Sequence, residues 1–303
     1  MMLLRRSMCR TAGARTFASL VSMNVNGNDC HATVERATEG KKVLLCLPGA
    51  LGTGATDFGP QLDAFKNDYS VVAFHPDPAH NASVDLLSKN AHDAAALMKG
   101  LGYEKYSVLG WSDGANAAVI LAAEYPAHME RLVLMGGNAF ISDEDIELYN
   151  AIADVKTWGA TQRDNLAQVH GGLDKLQERW TEWIATMNTI NDSGGDICTS
   201  YLPDVKCKTL VLHGELDSLV PGYQGEYLSE RILHSKLQVV PGAKHNLHLS
   251  SSTADAVNAI IRSFLVEPDD KETHSREFAA MPPKDPKAKK DPAVPVYHSG
   301  PRC

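Results

Sequence analysis

The sequence predicts an α/β protein: a mostly parallel, doubly wound sheet with a helical insertion after the fold's sixth strand. Three observations carry that expectation. Short apolar runs closed by turn residues alternate with stretches of helical spacing. One run leads into Gly110-Trp111-Ser112-Asp113-Gly114, a Gly-x-Ser-x-Gly turn followed at once by a helix-like segment. A long stretch, 141–203, breaks the rhythm with helical spacing and no strand signal.

Val43-Leu44-Leu45-Cys46-Leu47, closed by Pro48-Gly49, reads as a buried parallel strand, because a strand covered on both faces needs no polar alternation. Tyr69 to Phe74 is a second such run. Leu86 to Leu101 places Leu86, Leu87, Ala94, Leu97 and Met98 at helical spacing. Tyr106-Ser107-Val108-Leu109 is the strand before the serine turn, and Ala115 to Glu124 the helix after it. Arg131 to Met135 is a strand stopped by Gly136-Gly137. The 141–203 segment carries Leu166, Leu173, Leu176, Trp180, Trp183 and Ile184 and reads as a helical lid. Strands resume at Thr209 to Leu212 and Leu237 to Val240. An amphipathic helix, Ala254 to Leu265, closes the core.

The 303 residues, 44% of them hydrophobic, suffice for one large core or two ordinary domains. The ends are separable from it. The first acid is Asp29, whereas Arg5, Arg6, Arg10 and Arg15 precede it, a pattern resembling a mitochondrial transit peptide cleaved after Phe17. From Glu267 the chain is rich in Pro and Lys and reads as a disordered tail. The expected organisation is a 1–17 leader, a core of 18–140 and 204–266, a 141–203 lid and a 267–303 tail. The net charge is −8, and the basic leader makes the body more acidic still, which argues against nucleic acid. No apolar run is long enough to span a membrane. The six cysteines have no metal-like spacing and read as reduced thiols. Neither a metal-protease helix motif nor a phosphate loop occurs. The expectation is a monomer in mitochondria, acting on a small molecule with no cofactor and no metal.

The serine turn supplies chemistry. A sharp strand-to-helix turn strains the backbone at Ser112, exposes its Oγ and aims the Asp113 backbone N–H at an oxyanion. A serine needs a base, and the base an orienting carboxylate. On the α/β-hydrolase fold these follow in the order Ser, Asp, His. Asp217 lies in the loop after 209–212 and His245 in the loop after 237–240, so three loops on one sheet edge deliver Ser112, Asp217 and His245. A second oxyanion donor is expected from the loop Pro48-Gly49-Ala50-Leu51-Gly52, at Leu51 or Ala50. Rival groups have plainer readings: Glu215 as a surface or structural group, Asp57 as a helix cap, His213 as a packed core histidine and His248 as structural.

The runs Leu47-Pro48-Gly49-Ala50-Leu51-Gly52-Thr53-Gly54, Thr56-Asp57-Phe58-Gly59-Pro60-Gln61-Leu62, Gly110-Trp111-Ser112-Asp113-Gly114 and Gly242-Ala243-Lys244-His245-Asn246-Leu247-His248-Leu249 resemble the biphenyl-hydrolase-like family of valacyclovir hydrolases. Asn138-Ala139-Phe140 and Ser142-Asp143-Glu144-Asp145 match as well. The resemblance spans about 21–266. It implies an α/β-hydrolase that cleaves esters of α-amino acids, with Ser112, Asp217 and His245 as the triad and the Leu51 and Asp113 N–H groups as the oxyanion hole. It also implies that the Asp113 carboxylate binds the substrate's α-ammonium; the plainer reading of Asp113 is a helix cap. The chain departs from the family after Phe74, where His75-Pro76-Asp77-Pro78-Ala79-His80-Asn81-Ala82-Ser83 replaces a longer Arg- and Gly-bearing loop. It also reads Gly114-Ala115 where the family has Gly-Gly. A carbon–carbon bond hydrolase of ring-cleavage dienones and a non-catalytic ligand receptor are the alternatives.

Overall fold

Residues 43–47 send alternate side chains into two different cores, which is why the run is apolar throughout. Val43, Leu45 and Leu47 enter one core and Leu44 and Cys46 the other. The computed structural model describes residues 5–7, 19–25, 28–36 and 40–268. The strands are β1 (Arg5–Ser7), β2 (Ser19–Val25), β3 (Asn28–Glu35), β4 (Lys42–Leu47), β5 (Tyr69–His75), β6 (Tyr106–Trp111), β7 (Met129–Met135), β8 (Lys208–Gly214) and β9 (Ser235–Val240). They form one nine-stranded sheet in the order β1-β2-β3-β5-β4-β6-β7-β8-β9. Every pairing from β5 through β9 is parallel, and β1, β2 and β3 extend the β5 edge antiparallel.

The helices are α1 (Gly54–Asp57), α2 (Gly59–Phe65), α3 (Leu86–Gly100), α4 (Asp113–Glu124), α5 (Asp143–Ala151), α6 (Ala160–His170), α7 (Leu173–Asp192), α8 (Gly222–Arg231) and α9 (Ala254–Val266). Side chains of α3, α4 and α8 pack into one core; those of α2 and α9 pack into the other. The sheet is therefore doubly wound, and the right-handed crossovers leave the loops that follow its parallel strands along one edge.

Each strand run read from the sequence is present, extended by one to three residues at one or both ends. The helices α5, α6 and α7 stand between β7 and β8. β7 is the sixth strand once the three-residue β1 is set aside. Five features lie outside the expectation. The β2–β3 hairpin carried no reading, nor did α1, α2 or α8. Arg5–Ser7, inside the expected leader, pairs with Leu20–Ser22. The expected cleavage point and the tail beyond Pro268 lie outside the described residues, but Glu267 and Pro268 are tied to the body: their carbonyls accept from Arg131 Nη2 at 2.7 Å and Lys208 Nζ at 2.8 Å. Cys30, Cys46, Cys198 and Cys207 are free thiols. Among the described residues no helix is long and apolar enough to cross a membrane.

Candidate active site

The turn from β6 into α4 places Ser112 at φ 54°, ψ −124°, a conformation that a β-carbon makes unfavourable. Such a residue typically stores about 1–3 kcal/mol, maintained by its surroundings. Here the Ser112 N–H donates to Met135 O at 2.9 Å, and its carbonyl accepts from Ala115 and Asn116 at 2.8 and 3.2 Å. The flanking glycines are required by close approach. A β-carbon at Gly110 would strike Gly114 O, and one at Gly114 would strike the carbonyls of Leu47 and Pro48. The Ser112 Oγ makes no hydrogen bond to any described residue, and the Asp113 N–H at the head of α4 is likewise unpaired.

Asp217 and His245 meet from loops after β8 and β9. His245 Nδ1–H donates to Asp217 Oδ2 at 2.9 Å, which leaves Nε2 as the proton acceptor. Asp217 Oδ1 accepts from the Leu219 and Val220 N–H groups at 2.9 and 3.0 Å. Burial pushes the Asp217 carboxyl up, but His245 and the two N–H groups outweigh it and hold it below the ordinary carboxylate value. Gly136 lies against the pair, where a β-carbon would come within 3.2 Å of His245 Nδ1. Trp111, next to Ser112, ties the serine arm to the histidine arm. Its Nε1–H donates to His245 O at 2.9 Å, and its ring lies 5.4 Å from the imidazole.

The loop after β4 runs close beside the serine turn: a β-carbon at Gly49 would come within 3.3 Å of Ser112 Cβ. Leu51 is the other non-glycine residue at positive φ, 60°, and its N–H has no partner among the described residues. The turn is closed by Gly52 N–H donating to Gly49 O at 3.1 Å. His170, the last residue of α6, donates from Nε2 to Leu51 O at 2.8 Å. Asp57 does not cap a helix, as its sequence position suggested. Its carboxylate is buried, with Oδ2 accepting from Gly49 N–H at 3.0 Å.

Asp113 points its carboxylate toward the helical insertion. Trp183 Nε1–H of α7 donates to Oδ2 at 2.7 Å, while Oδ1 has no hydrogen-bond partner among the described residues. Asp113 borders a small cavity whose wall includes Gly49, Leu51, Pro76, Val169 and His170. The segment after β5, with Pro76, Asp77 and Pro78, therefore lines the same cavity. Burial raises the Asp113 carboxyl to about 6, against the opposing pull of the Trp183 N–H and of His245. Behind Trp183 lies an aromatic stack: Trp180 at 4.6 Å, Tyr149 at 4.9 Å, and Trp158 on Trp180 at 5.0 Å.

A family model described as the alpha/beta hydrolase family matches residues 44–260. The chain belongs to the α/β-hydrolase family. Within that family it groups with serine hydrolase BPHL. The mouse protein is 38% identical over 261 residues, covering 82% of this chain and 88% of the relative, and the human one 37% over 269, covering 84% and 90%. A 2-hydroxy-6-oxo-6-phenylhexa-2,4-dienoate hydrolase of Burkholderia cepacia is 26% identical over 82% of the chain and 96% of its own length. Among solved structures, the α/β-hydrolase MGS-M2 from a deep-sea metagenome superposes with a TM-score of 0.69 at 15% identity, over 83% of this chain and 99% of that one. This α/β-hydrolase is thus a hydrolytic enzyme of the BPHL group.

The sequence-derived site residues fall on one sheet edge of the α/β-hydrolase fold. The rivals fall elsewhere or serve as supports. Glu215 Oε2 accepts from Gly242 N–H at 2.7 Å, His213 is buried and donates to Val220 O at 3.0 Å, and His248 is buried and donates to Asp57 O at 2.8 Å. Trp183, His170 and Gly136 were missed as site neighbours. The insertion's tryptophans are visible in the sequence, but no local pattern says which one turns to Asp113.

Proposed function

We propose that this enzyme hydrolyses carboxylic esters of α-amino acids. Ser112 Oγ attacks the ester carbonyl while His245 Nε2 takes its proton; Asp217 fixes the imidazole tautomer and stabilises the imidazolium. The Leu51 and Asp113 N–H groups receive the oxyanion. The imidazolium then protonates the leaving alcohol, and water attacks the acyl-Ser112 by the same route in reverse. The helical insertion acts as a lid that keeps bulk water from the charge pairs.

The observation that carries the substrate class is Asp113. A buried carboxylate, held at one oxygen by Trp183 and open at the other, sits one residue from the nucleophile and borders the cavity. An α-ammonium is one bond removed from the carbonyl's own neighbour atom, so a cation there lies within reach of that oxygen. The same carboxylate would repel the anionic dienoate of a carbon–carbon bond hydrolase.

The test compares kcat/KM for a phenylalanine ester and its des-amino analogue in wild type and Asp113→Ala. The amino ester is expected to lose roughly 30-fold to several thousand-fold, the cost of about 2–5 kcal/mol for one side of a desolvated pair. The des-amino ester should lose far less, because the backbone N–H survives. In wild type the amino/des-amino ratio should rise as pH increases through about 6, where Asp113 ionises. It should fall again where the substrate amine loses its proton. Equal losses on both esters would leave Asp113 a helix-terminal group.

A further inference from the structure

The loop that carries Leu51 is pinned by a buried acid that the hydrolytic cycle does not consume. Asp57 Oδ2 accepts from Gly49 N–H at 3.0 Å, and Oδ1 accepts from Thr56 Oγ1 at 2.8 Å. Asp57 is itself fixed. Its N–H donates to Thr53 O at 3.0 Å, and its carbonyl accepts from His248 Nε2 at 2.8 Å. His248 is wedged between Trp111 and Phe58, with ring centroids 4.9 and 5.2 Å away. The α1 helix is held by a reciprocal cap between Thr53 and Thr56. Gly52 completes the fit, since a β-carbon there would run into Asp57 Oδ2.

This arrangement is costly. No lysine or arginine among the described residues pairs with Asp57, and burial pushes its carboxyl up to about 7 against the two hydrogen bonds. A buried acid without a cation is poor material for stability alone. What it holds is specific. Gly49 N–H and the Gly52-to-Gly49 turn fix both ends of the loop, and between them Leu51 keeps a left-handed backbone that leucine adopts only under constraint.

We propose that Asp57 is a positioning residue for hydrolysis: by gripping Gly49 N–H it sets the direction of the Leu51 N–H toward the developing oxyanion. The inference rests on the oxyanion role given to Leu51 above. The carboxylate touches no substrate and changes no bond. It acts on the transition state through loop geometry, so it belongs to kcat rather than to substrate affinity.

The experiment measures kcat and KM on a phenylalanine ester, and inhibition by a phenylalanine-derived trifluoromethyl ketone. Ser112 Oγ adds to that ketone, its proton passes to His245, and the former carbonyl oxygen becomes an alkoxide in the oxyanion site. Asp57→Ala is expected to lower kcat about 10- to 100-fold, as small misplacements of catalytic groups do, with KM within about threefold. Affinity for the ketone should fall by the same factor. Asp57→Asn should stay within about threefold of wild type, because its Oδ1 still accepts from Gly49. Thr56→Val, which removes the other hydrogen bond to the carboxylate, provides a milder variant should Asp57→Ala not fold; it should lose kcat and ketone affinity together. Unchanged kcat in every folded variant, an equal loss in Asp57→Asn and Asp57→Ala, or a kcat loss without a ketone loss each overturns the inference. Ser112→Ala separates the two failures. If it stays active, the catalytic reading falls and takes this inference with it; if it is inactive while Asp57→Ala is unimpaired, only this inference falls.

Discussion

At the scale of single residues, the proposed chemistry rests on side chains that their neighbours hold in place. Ser112 is locked by two backbone hydrogen-bonded segments, and His245 by Asp217 on one side and Trp111 on the other. Ser112→Ala and His245→Ala are therefore each expected to cut kcat by up to about a million-fold, as members of a triad that act as a unit do. Asp217→Asn should cost about 10⁴-fold, because an amide no longer holds the right tautomer. Glu215→Gln is expected to remain within about threefold of wild type, since among the described residues the Glu215 carboxylate serves the Gly242 N–H alone. Steady-state kinetics on one ester decide the order, and a larger loss in Glu215→Gln than in Asp217→Asn would reassign the acid. The positions of Ser112, Asp217 and His245 were legible because the fold's strand order delivers them to adjacent loops. Asp57 was misread because Thr-Asp before a helix is a common cap pattern, and its burial against the Gly49 loop eight residues earlier leaves no trace in the residues beside it.

At the scale of elements, the helical insertion meets the serine turn through Trp183 and the Leu51 loop through His170. Both contacts come from insertion helices, so α6 and α7 take part in fixing the Asp113 carboxylate and the Leu51 carbonyl. Trp183→Phe keeps the aromatic packing against Trp180 and Tyr149 but removes the N–H from the Asp113 carboxylate. A hydrogen bond to a charged group contributes about 1.5–3 kcal/mol, so kcat/KM on amino esters should fall roughly tenfold or more, with the des-amino ester spared. That N–H also lowers the Asp113 pKa, so the rise in amino-ester preference should move to higher pH in the variant. An unmoved pH limb would disconnect Trp183 from Asp113. The central strands and the long helices were legible from apolar runs and 3.6-residue spacing. The β2–β3 hairpin was also within reach: Val21 and Met23 alternate on one side of Asn26-Gly27, and Cys30, Ala32 and Val34 on the other. The helix α8 carries only a weak apolar stripe, and its place comes from packing on β8 and β9.

At the scale of the whole molecule, the N-terminal segment contributes, among its described residues, Arg5–Ser7 to the sheet, at an outer edge beyond β2. A chain starting at residue 18 is thus expected to keep the two cores, the site and kcat/KM within about twofold, with little change in Tm. The proposed import into mitochondria makes the same cut in cells, and N-terminal sequencing of the native protein checks it. A mature chain that begins at Met1 or Met2 in the cytosol would contradict the proposal, and a truncated chain that fails to fold would give β1 a structural role.

The sequence by itself determined the doubly wound core, the strand–turn–helix at Ser112 and the chain order of serine, acid and histidine. These follow from local periodicity, from the steric demands of a tight turn and from the limited ways that parallel strands connect. The tertiary structure alone decided that Asp57 grips Gly49, that Trp183 rather than another tryptophan faces Asp113, and that His170 reaches Leu51. Each of those contacts joins segments whose meeting depends on how the loops and insertion helices settle on the finished sheet, a balance of burial and hydrogen bonding that no local pattern encodes.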